Sequence, residues 1–516
     1  YIDNKIFDVD PFVSIDQDGV GELVKIATKR GRENNKKLKL ALVGCGGRGS
    51  GAVVNALSAD DQVELVSMAD VFQDKLDSSL KAITDHFDGR KKIKVKDKNK
   101  FIGFNSYKKA IDEADVVILT TPPGFRPYHF EYAINHNKHV FMEKPLATDP
   151  VGIRKVLDMA KIAKEKKLSV VVGLQRHYEK KYTTLHNMIT QGNIGKITSG
   201  QVYWNDGGVW VNQRQVGQSE LEYQMRNWYY FNWLCGDHIL EQHIHNIDVA
   251  NWFVGDYPIY AQGMGGRQVR NGEDHGEIFD HHFVEFTYAN GTIISSQCRH
   301  MPGTMSRVDE VFQGTKGSLE IGKGEITDLE GRIQYKYPSK LGEDPNPYQV
   351  EHDLLFKSIR EGKVIADAEN GAMSTLTAIL GRMATYTGKK ITLDKKENNQ
   401  IKELFKKKIL DENEFNPNLK VIIQNLSDNK NKYKGNNFGA LKVNSNFKNI
   451  SKYTYRKIKY FNQFEPEAIF IDKNLIFFDK QGSIIKFDHD SKIKWKVNYY
   501  SKKEKKILPL LRFERS

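Results

Sequence analysis

The chain has 516 residues and a formal net charge of +13, from 78 lysine and arginine residues against 65 acidic ones. Single hydrophobic cores stop growing near ~250–300 residues, so we expect two or three domains. The charge excess lies wholly in residues 396–516, which hold 27 basic and 14 acidic residues, so we expect no nucleic-acid partner. No apolar run reaches the ~18 residues of a membrane span, and three isolated cysteines indicate neither a disulfide framework nor a cysteine metal site.

Apolar runs alternate with helix-like segments in the first part of the chain, after a polar stretch over residues 1–37. The strand candidates are Leu38–Val43, Val63–Ala69, Val116–Thr120 and His139–Met142, and helix candidates lie near residues 50–58, 72–86 and 126–136. This alternation predicts a parallel sheet covered by helices on both faces. We therefore expect an α/β domain over residues 38–148, with residues 1–37 as an extension around its outside.

The turn after the first strand has the spacing G-x-G-x-x-G, in the residues Gly44, Gly46, Gly47, Arg48 and Gly49. Such glycines allow a sharp turn, let the backbone approach a pyrophosphate, and permit close packing of helix on sheet. Asp70 follows the second strand, where a carboxylate accepts hydrogen bonds from ribose hydroxyls and repels a 2′-phosphate. The pattern predicts a Rossmann domain that binds NAD in preference to NADP, although glycine-rich turns also occur for structural reasons alone.

Two further loops should border the same site, because ligands of such sheets bind beyond the carboxyl ends of the strands. The first loop holds Thr121, Pro122 and Pro123, and the second holds Glu143, Lys144 and Pro145. A lysine at a strand end can hold a substrate hydroxyl and stabilise its developing negative charge. In isolation a lysine is more often a surface residue, and it is the position of Lys144 that favours a catalytic role.

Longer strand candidates follow in residues 149–395, at Ile197–Trp204, Pro258–Gly263, His281–Tyr288, Thr292–Cys298 and Val308–Gln313. Turn signals separate them, and helices near residues 150–166, 179–190, 348–360 and 369–386 surround them. We predict an α+β substrate domain built on an open, mostly antiparallel sheet.

A helix predicted over Asp237–Phe253 carries the second chemical cluster. Glu241 and His245 are four residues apart and should share one face, so that the carboxylate orients the imidazole as a general base. His238 should lie close to that face and contact substrate. Three histidines raise the question of a metal, but His243 points away from His245 on such a helix, and we predict no metal site. Histidines that are hydrogen-bonded in a polar core remain an alternative.

Residues 396–516 differ from the rest of the chain in composition. Residues 467–497 are predicted to form short strands, and the stretch from Gly482 to Trp495 resembles one repeat of a quinoprotein-like β-propeller. A propeller needs at least four blades, so one repeat cannot form its core. We predict a basic, β-rich tail whose role is unassigned, and a gene fusion or joining artefact is one hypothesis for its origin.

The glycine turn, Asp70, Thr121-Pro122-Pro123, Glu143-Lys144-Pro145 and the Glu241…His245 segment together resemble the Gfo/Idh/MocA oxidoreductase family, over roughly residues 38–395. The resemblance implies Lys144 and His245 as catalytic residues. The family often has aspartate four residues before that histidine, where this chain has Glu241. The stretch Arg226–Tyr230 is similar to sugar-related members. We expect substrate contacts from the residues Arg176, His177, Trp204, Arg226 and His238.

The family resemblance implies hydride transfer between NAD and a hydroxyl of a sugar, glycoside or cyclitol, in a homo-oligomer that is a dimer or tetramer. Two alternatives remain: an NAD-dependent glycosidase that acts by transient oxidation, and a scaffold protein that retains NAD. A cytoplasmic location is favoured. Because the sequence begins with Tyr1 rather than Met, export to the periplasm is the other possibility.

Overall fold

The computed structural model describes residues 36–87, 91–338 and 344–393, and the backbone of four strands between residues 468 and 498. The expectations for residues 1–35 and for the first part of the tail, residues 396–467, lie outside the described residues. Among the helices that are described, every one is too short or too polar to cross a membrane.

The first sheet has six parallel strands in the order β3-β2-β1-β4-β5-β6. These strands are β1 Leu38–Val43, β2 Val63–Asp70, β3 Lys100–Ile102, β4 Val116–Leu119, β5 His139–Met142 and β6 Val170–Val172. This strand order belongs to the doubly wound dinucleotide-binding fold, and it reverses between β1 and β4, where a ligand crevice forms. The predicted Rossmann domain is confirmed, although β6 extends its sheet beyond residue 148.

Helices cover both faces of this sheet, because its central strands are buried on both sides and read as continuous apolar runs. The helices are α1 Gly47–Ala59, α2 Gln73–His86, α3 Ser106–Asp112, α4 Arg126–Asn135 and α5 Pro150–Glu165. The strand β3 and the helix α3 were not predicted, because both are short and carry little apolar periodicity.

The second sheet has nine strands in the order β14-β13-β12-β11-β7-β10-β9-β8-β15. They are β7 Ile197–Asp206, β8 Tyr260–Gly266, β9 His281–Thr287, β10 Ile293–His300, β11 Arg307–Gly314, β12 Gly317–Glu320, β13 Glu325–Asp328, β14 Ile333–Lys336 and β15 Ile391–Thr392. The pair β7–β10 is parallel and the other pairs are antiparallel. The predicted mostly antiparallel sheet is confirmed.

The α-helices described after β6 are α6 Lys180–Thr190, α7 Glu220–Arg226, α8 Asn232–Cys235, α9 His238–Glu241, α10 Ile244–Val254, α11 Pro347–Glu361 and α12 Ala368–Thr387. Helix α12 packs closely on the sheet. A Cβ at Gly381 of this helix would lie only 2.9 Å from the ring of Phe286 on β9. Helix α11 returns to the first domain, where Gln349 and Asn55 of α1 exchange hydrogen bonds. Helix α11 thereby packs on the Rossmann domain.

The prediction of one continuous helix over Asp237–Phe253 is wrong. The segment forms two separate helices, α9 and α10. The N–H of His243 donates to the carbonyl of His238, five residues back, instead of four. The imidazole of His243 forms a hydrogen bond with the Ser296 hydroxyl of β10 at 2.7 Å. This contact with the sheet stabilises the interruption and has no local sequence signal. Glu241 and His245 therefore lie on different helices.

Four strands of the tail form a separate antiparallel sheet in chain order, with β16 Ala468–Ile471, β17 Asn474–Phe478, β18 Ser483–Phe487 and β19 Ile493–Asn498. The short strands predicted over residues 467–497 are present. The resemblance to a propeller repeat receives no support from this single four-stranded sheet.

We expect Phe286→Ala to lower the free energy of unfolding by about 3–5 kcal/mol, because the ring fills the contact between β9 and α12 and is buried. Phe283→Ala is the matched control, since that ring lies on the half-exposed face of the same strand and should cost less than half as much. Urea unfolding followed by fluorescence measures both. Equal losses in the two variants would contradict this packing.

Candidate active site

The turn between β1 and α1 has the geometry that the glycine spacing predicts. Gly44 has a φ of +96°, and a Cβ there would lie 2.6 Å from the backbone nitrogen of Thr121. A Cβ on Gly49 would overlap the carbonyl oxygen of Gly44. A Cβ on Gly46 or Gly47 would meet no described atom within 4 Å. Two of these glycines are thus required for packing, and the other two face space that a ligand can fill.

The first turn of α1 offers its N–H groups to that same space. The helix begins at Gly47 and has no side-chain cap at Gly46, so the positive end of the helix is available to an anion. A dinucleotide pyrophosphate carries the charge that this terminus favours. The uncapped helix end beside the open glycine turn therefore fits the pyrophosphate of NAD.

Asp70 lies at the carboxyl end of β2 beside the glycine turn. Its two carboxylate oxygens accept hydrogen bonds from the backbone N–H groups of Cys45, at 2.7 Å, and Phe72, at 2.9 Å. Burial raises the pKa of Asp70, and these backbone N–H groups oppose that rise. A carboxylate held at this place can accept further hydrogen bonds from ribose hydroxyls, since each oxygen has more than one lone pair.

A cleft of about 540 Å³ runs from the glycine turn to α9. This volume lies within the range usual for cofactor sites. The Rossmann wall includes the predicted residues Gly44, Gly46, Gly47, Arg48, Gly49, Asp70, Thr121 and Pro122. The opposite wall is formed by the substrate domain, with Trp210, Asn212, Met225, Arg226, Trp228, Tyr229, Glu241 and Gln242. Pro123 is buried in the turn after β4, next to the cleft residue Pro122.

Lys144 connects the two domains through Glu241 of the cleft wall, and neither Lys144 nor His245 is itself among the described residues that line the cleft. Its ammonium donates to the backbone carbonyl of Glu241 at 2.5 Å and lies 3.5 Å from the Glu241 carboxylate. Burial raises the pKa of Glu241, and the ammonium of Lys144 opposes that rise. The other carboxylate oxygen, Oε2, is buried without a hydrogen-bond partner. Glu241 therefore contacts the lysine rather than His245, and the prediction that it orients the imidazole is replaced by this pairing.

His245 lies in the first turn of α10 with its ring stacked on Trp204 at a centroid distance of 5.9 Å. Burial, together with the positive charges of Lys144, Arg176 and Arg48, lowers the pKa of His245 well below its usual value. Its Nδ1 is buried without a hydrogen-bond partner. The imidazole is therefore neutral at physiological pH, the form that accepts a proton.

Arg48 is held between two carboxylates that the sequence separates widely. Its guanidinium pairs with Glu143 at the end of β5, and with Glu351 of α11 at 3.1 Å. Burial and the charge of Glu143 raise the pKa of Glu351 well above its usual value. Sequence analysis missed Glu351, because no motif surrounds it and its place beside Arg48 depends on the return of α11 to the first domain.

Two predicted substrate residues are engaged elsewhere. Arg176 forms a buried ion pair with Glu310 of β11, which also accepts hydrogen bonds from Asn246 and Tyr182. His177 pairs with Asp248 at 2.7 Å. Neither Arg176 nor His177 is among the described residues that line the cleft. Arg176 contributes to the site through its charge, which lowers the pKa of His245.

His238 belongs to a buried network around Asp237. One carboxylate oxygen of Asp237 lies 2.9 Å from Nδ1 of His238 and 3.3 Å from Nε2 of His282, while the other accepts from Phe279 N–H and the Tyr386 hydroxyl. Despite the opposing effect of burial, the two histidines hold the pKa of Asp237 well below its usual value. Asp237, His238 and His282 have ligand atoms within 4.8 Å of one another, but here they are joined in this network around the carboxylate.

Arg226 lies on the substrate-domain wall of the cleft. It forms two hydrogen bonds of 3.1 Å with the carboxylate of Asp74 in α2, and its guanidinium stacks 3.9 Å from the centre of the Phe72 ring. Both partners follow Asp70 closely in sequence, so Arg226 is at the ribose end of the dinucleotide site. Arg226 also lines the cleft, so its contact with substrate stays a prediction.

Two models of one protein family match the chain. The model described as "Oxidoreductase family, NAD-binding Rossmann fold" matches residues 38–174, and the "GFO/IDH/MocA C-terminal domain" matches residues 182–320. The chain belongs to the Gfo/Idh/MocA oxidoreductase family. The family models thereby support the Rossmann domain, its NAD site and the second domain that the sequence motifs predict.

Curated relatives match over part of their length. The chain is 25% identical to 2,7-anhydro-N-acetylneuraminate hydratase of Escherichia coli over 257 residues, which cover 44% of this chain and 64% of that protein. It is 28% identical to inositol 2-dehydrogenase of Salmonella typhimurium over 222 residues, which cover 42% and 55%. The chain thus spans less than two thirds of the length of either relative.

Solved structures share the fold of the described domains. Levoglucosan dehydrogenase, in complex with NADH and levoglucosan, superposes with a TM-score of 0.55 at 16% identity, covering 70% of this chain and all of that one. Scyllo-inositol dehydrogenase from Lactobacillus casei, with bound NAD(H) and scyllo-inositol, gives 0.52 at 20% identity, covering 69% and 99%. At these identities the similarity establishes the two-domain architecture.

We expect Lys144→Met to raise the pKa of His245, because the removed ammonium is the largest charge that lowers it. The pKa should still remain below its usual value of about 6.5, since burial is the dominant cause. The titration of the His245 Cε1–H resonance in NMR spectra, assigned by comparison with His245→Gln, measures the shift. An unchanged or lower pKa in Lys144→Met would contradict the proximity of these two residues.

Proposed function

We propose that this protein transfers a hydride between NAD and the hydroxyl-bearing carbon of a sugar, glycoside or cyclitol. The observation that carries the proposal is the arrangement of charged groups around Glu241, a residue of the cleft wall. There the ammonium of Lys144 meets the Glu241 carboxylate, and its positive charge acts on the neutral imidazole of His245. Two curated relatives are named for an anhydro-N-acetylneuraminate and for inositol, which supports this substrate class.

The glycine turn and the first turn of α1 would hold the pyrophosphate of NAD, and Asp70 would hold a ribose. Bound NAD supplies the carbon that accepts the hydride. Nε2 of His245 takes the proton of the substrate hydroxyl, because the neutral ring can accept it at physiological pH. Lys144 holds the substrate oxygen and stabilises its negative charge as the proton leaves. Glu241 holds the ammonium in place through its carbonyl and carboxylate.

The homo-oligomer that the family resemblance implies, a dimer or tetramer, is part of this proposal. The open face of the second sheet supports it, because side chains of β9 and β10 alternate between buried and half-exposed positions. One face therefore remains available to a second copy of the chain.

A second candidate is a glycosidase that oxidises its substrate transiently and returns the hydride to it. The substrate-domain wall over the cleft favours this candidate, because a covered cofactor is suited to reactions that end without net reduction. The two candidates share the proton and hydride steps above. Incubation with a panel of sugars, cyclitols and glycosides separates them: net NADH with a keto product indicates the dehydrogenase, and release of the aglycone without net NADH indicates the glycosidase.

We expect Lys144→Met and His245→Gln each to lower kcat by about 10²–10⁴-fold, because each removes a group that moves or stabilises a proton. The affinity for NAD should change little, since the cleft contacts of the dinucleotide remain. Lys155→Met is the matched control, as this lysine pairs with Glu131 on α4, away from the cleft. Single-turnover absorbance at the reduced nicotinamide band measures the rates. Near-native rates in either variant would refute the assignment.

We expect Asp70→Ala to weaken the binding of NAD by about tenfold or more and to narrow its advantage over NADP. The variant loses acceptors for the ribose hydroxyls and also loses the charge that repels a 2′-phosphate. Calorimetric titration with each dinucleotide gives both affinities. Asp77→Asn, on the exposed face of α2, serves as the control and should leave both unchanged. An unaltered ratio of the two affinities in Asp70→Ala would refute the role of this carboxylate.

A further inference from the structure

Residues 207–231 form the outer wall of the dinucleotide cleft, and we call them the cover segment. They connect β7 to α8 and belong to the substrate domain. The residues of this segment that line the cleft include Trp210, Asn212, Met225, Arg226 and Trp228. A dinucleotide that lies on the glycine turn would therefore be enclosed between the Rossmann domain and this segment.

The cover segment is attached to the Rossmann domain at the ribose end. Arg226 makes a bidentate ion pair with Asp74 and stacks on the ring of Phe72. An exposed ion pair by itself stabilises little, but a bidentate arginine that also stacks on an aromatic ring is more strongly held. Both partners lie within four residues of Asp70 in the chain. The attachment is thus adjacent to the carboxylate that would hold the ribose.

An apolar cluster reinforces this attachment. Tyr223, Met225 and Tyr229 of the cover segment belong to a buried cluster against which side chains of the Rossmann domain pack, namely Val71, Phe72, Phe104 and Phe125. Removing apolar surface from water stabilises such contacts in proportion to the area buried. Separation of the cover segment from the Rossmann domain would expose these side chains.

Hydrogen bonds within the substrate domain hold the cover segment in its conformation. Asn227 is fully buried, and its side chain accepts from the backbone N–H of Asn212 at 2.9 Å and donates to the carbonyl of Asp274 at 2.7 Å. The backbone N–H of Arg214 donates to the Asp274 carboxylate at 2.9 Å. The segment is therefore a braced part of the wall, and it must move as a unit when the cleft opens.

From these contacts we infer that Arg226 and the cover segment retain NAD in the cleft between catalytic cycles. Release of the dinucleotide requires the Arg226–Asp74 pair to break and the apolar cluster to separate. The cofactor therefore dissociates slowly and accompanies the protein through purification. Arg226 acts as a positioning residue for the cofactor, and this inference rests on the proposed binding of NAD in this cleft.

The test measures dissociation of the cofactor directly. The full chain is loaded with 1,N⁶-etheno-NAD⁺, and its release into excess NAD⁺ is followed by fluorescence. We expect Arg226→Ala and Asp74→Asn each to accelerate release by about tenfold, and the double variant to add little, because both break the same pair. Arg214→Ala is the matched control, since this exposed arginine of the same segment pairs with Glu220 within the segment and should not change the rate.

Further outcomes separate this inference from the proposed function. The nucleotide content of purified protein, measured after denaturation, should approach one NAD(H) per chain in the wild type and fall in Arg226→Ala. Wild-type exchange within seconds, or equal release rates in all variants, would overturn the inference. Slow release without hydride transfer to any sugar or cyclitol would overturn the proposed function and leave the retention in place. Failure of the chain to bind either dinucleotide would overturn both.

Discussion

The contact between Lys144 and Glu241 is the interaction on which the candidate site depends. Lys144 comes from the end of a Rossmann strand and Glu241 from the end of a short substrate-domain helix, and their contact joins the two domains. A buried ammonium without a partner is costly, so the carbonyl and carboxylate of Glu241 make its position tenable. Because each domain supplies one partner, the site exists only where the domains meet.

Charge pairing around this contact determines the state of the imidazole. Arg48, which is partly exposed in the cleft, is held by Glu143 and Glu351, and the buried Arg176 is held by Glu310. Together with Lys144 they oppose protonation of a ring that burial already keeps neutral. The carboxylates thus neutralise the cations, and the cations help to keep His245 in the neutral form that accepts a proton.

Sequence analysis placed the features whose position depends on residues close together in the chain. The glycine turn, the acid at the end of β2 and the lysine after β5 each follow a strand, and a strand's carboxyl end determines where such residues lie. It failed where a tertiary contact overrides local pattern. His243 forms a hydrogen bond with a serine of β10 at the interruption of a helix that the periodicity predicts as continuous.

The sequence by itself determined the parallel sheet, the dinucleotide turn and the family, because these depend on periodicity and on residues close together in the chain. Only the tertiary structure decided which carboxylate holds which cation. Glu351 and Glu310 lie 303 and 134 residues from the arginines they pair with, and a pairing over that distance leaves no trace in local pattern. Each pairing depends on how α11 or β11 packs. The pairing lowers the cost of placing charged groups away from water.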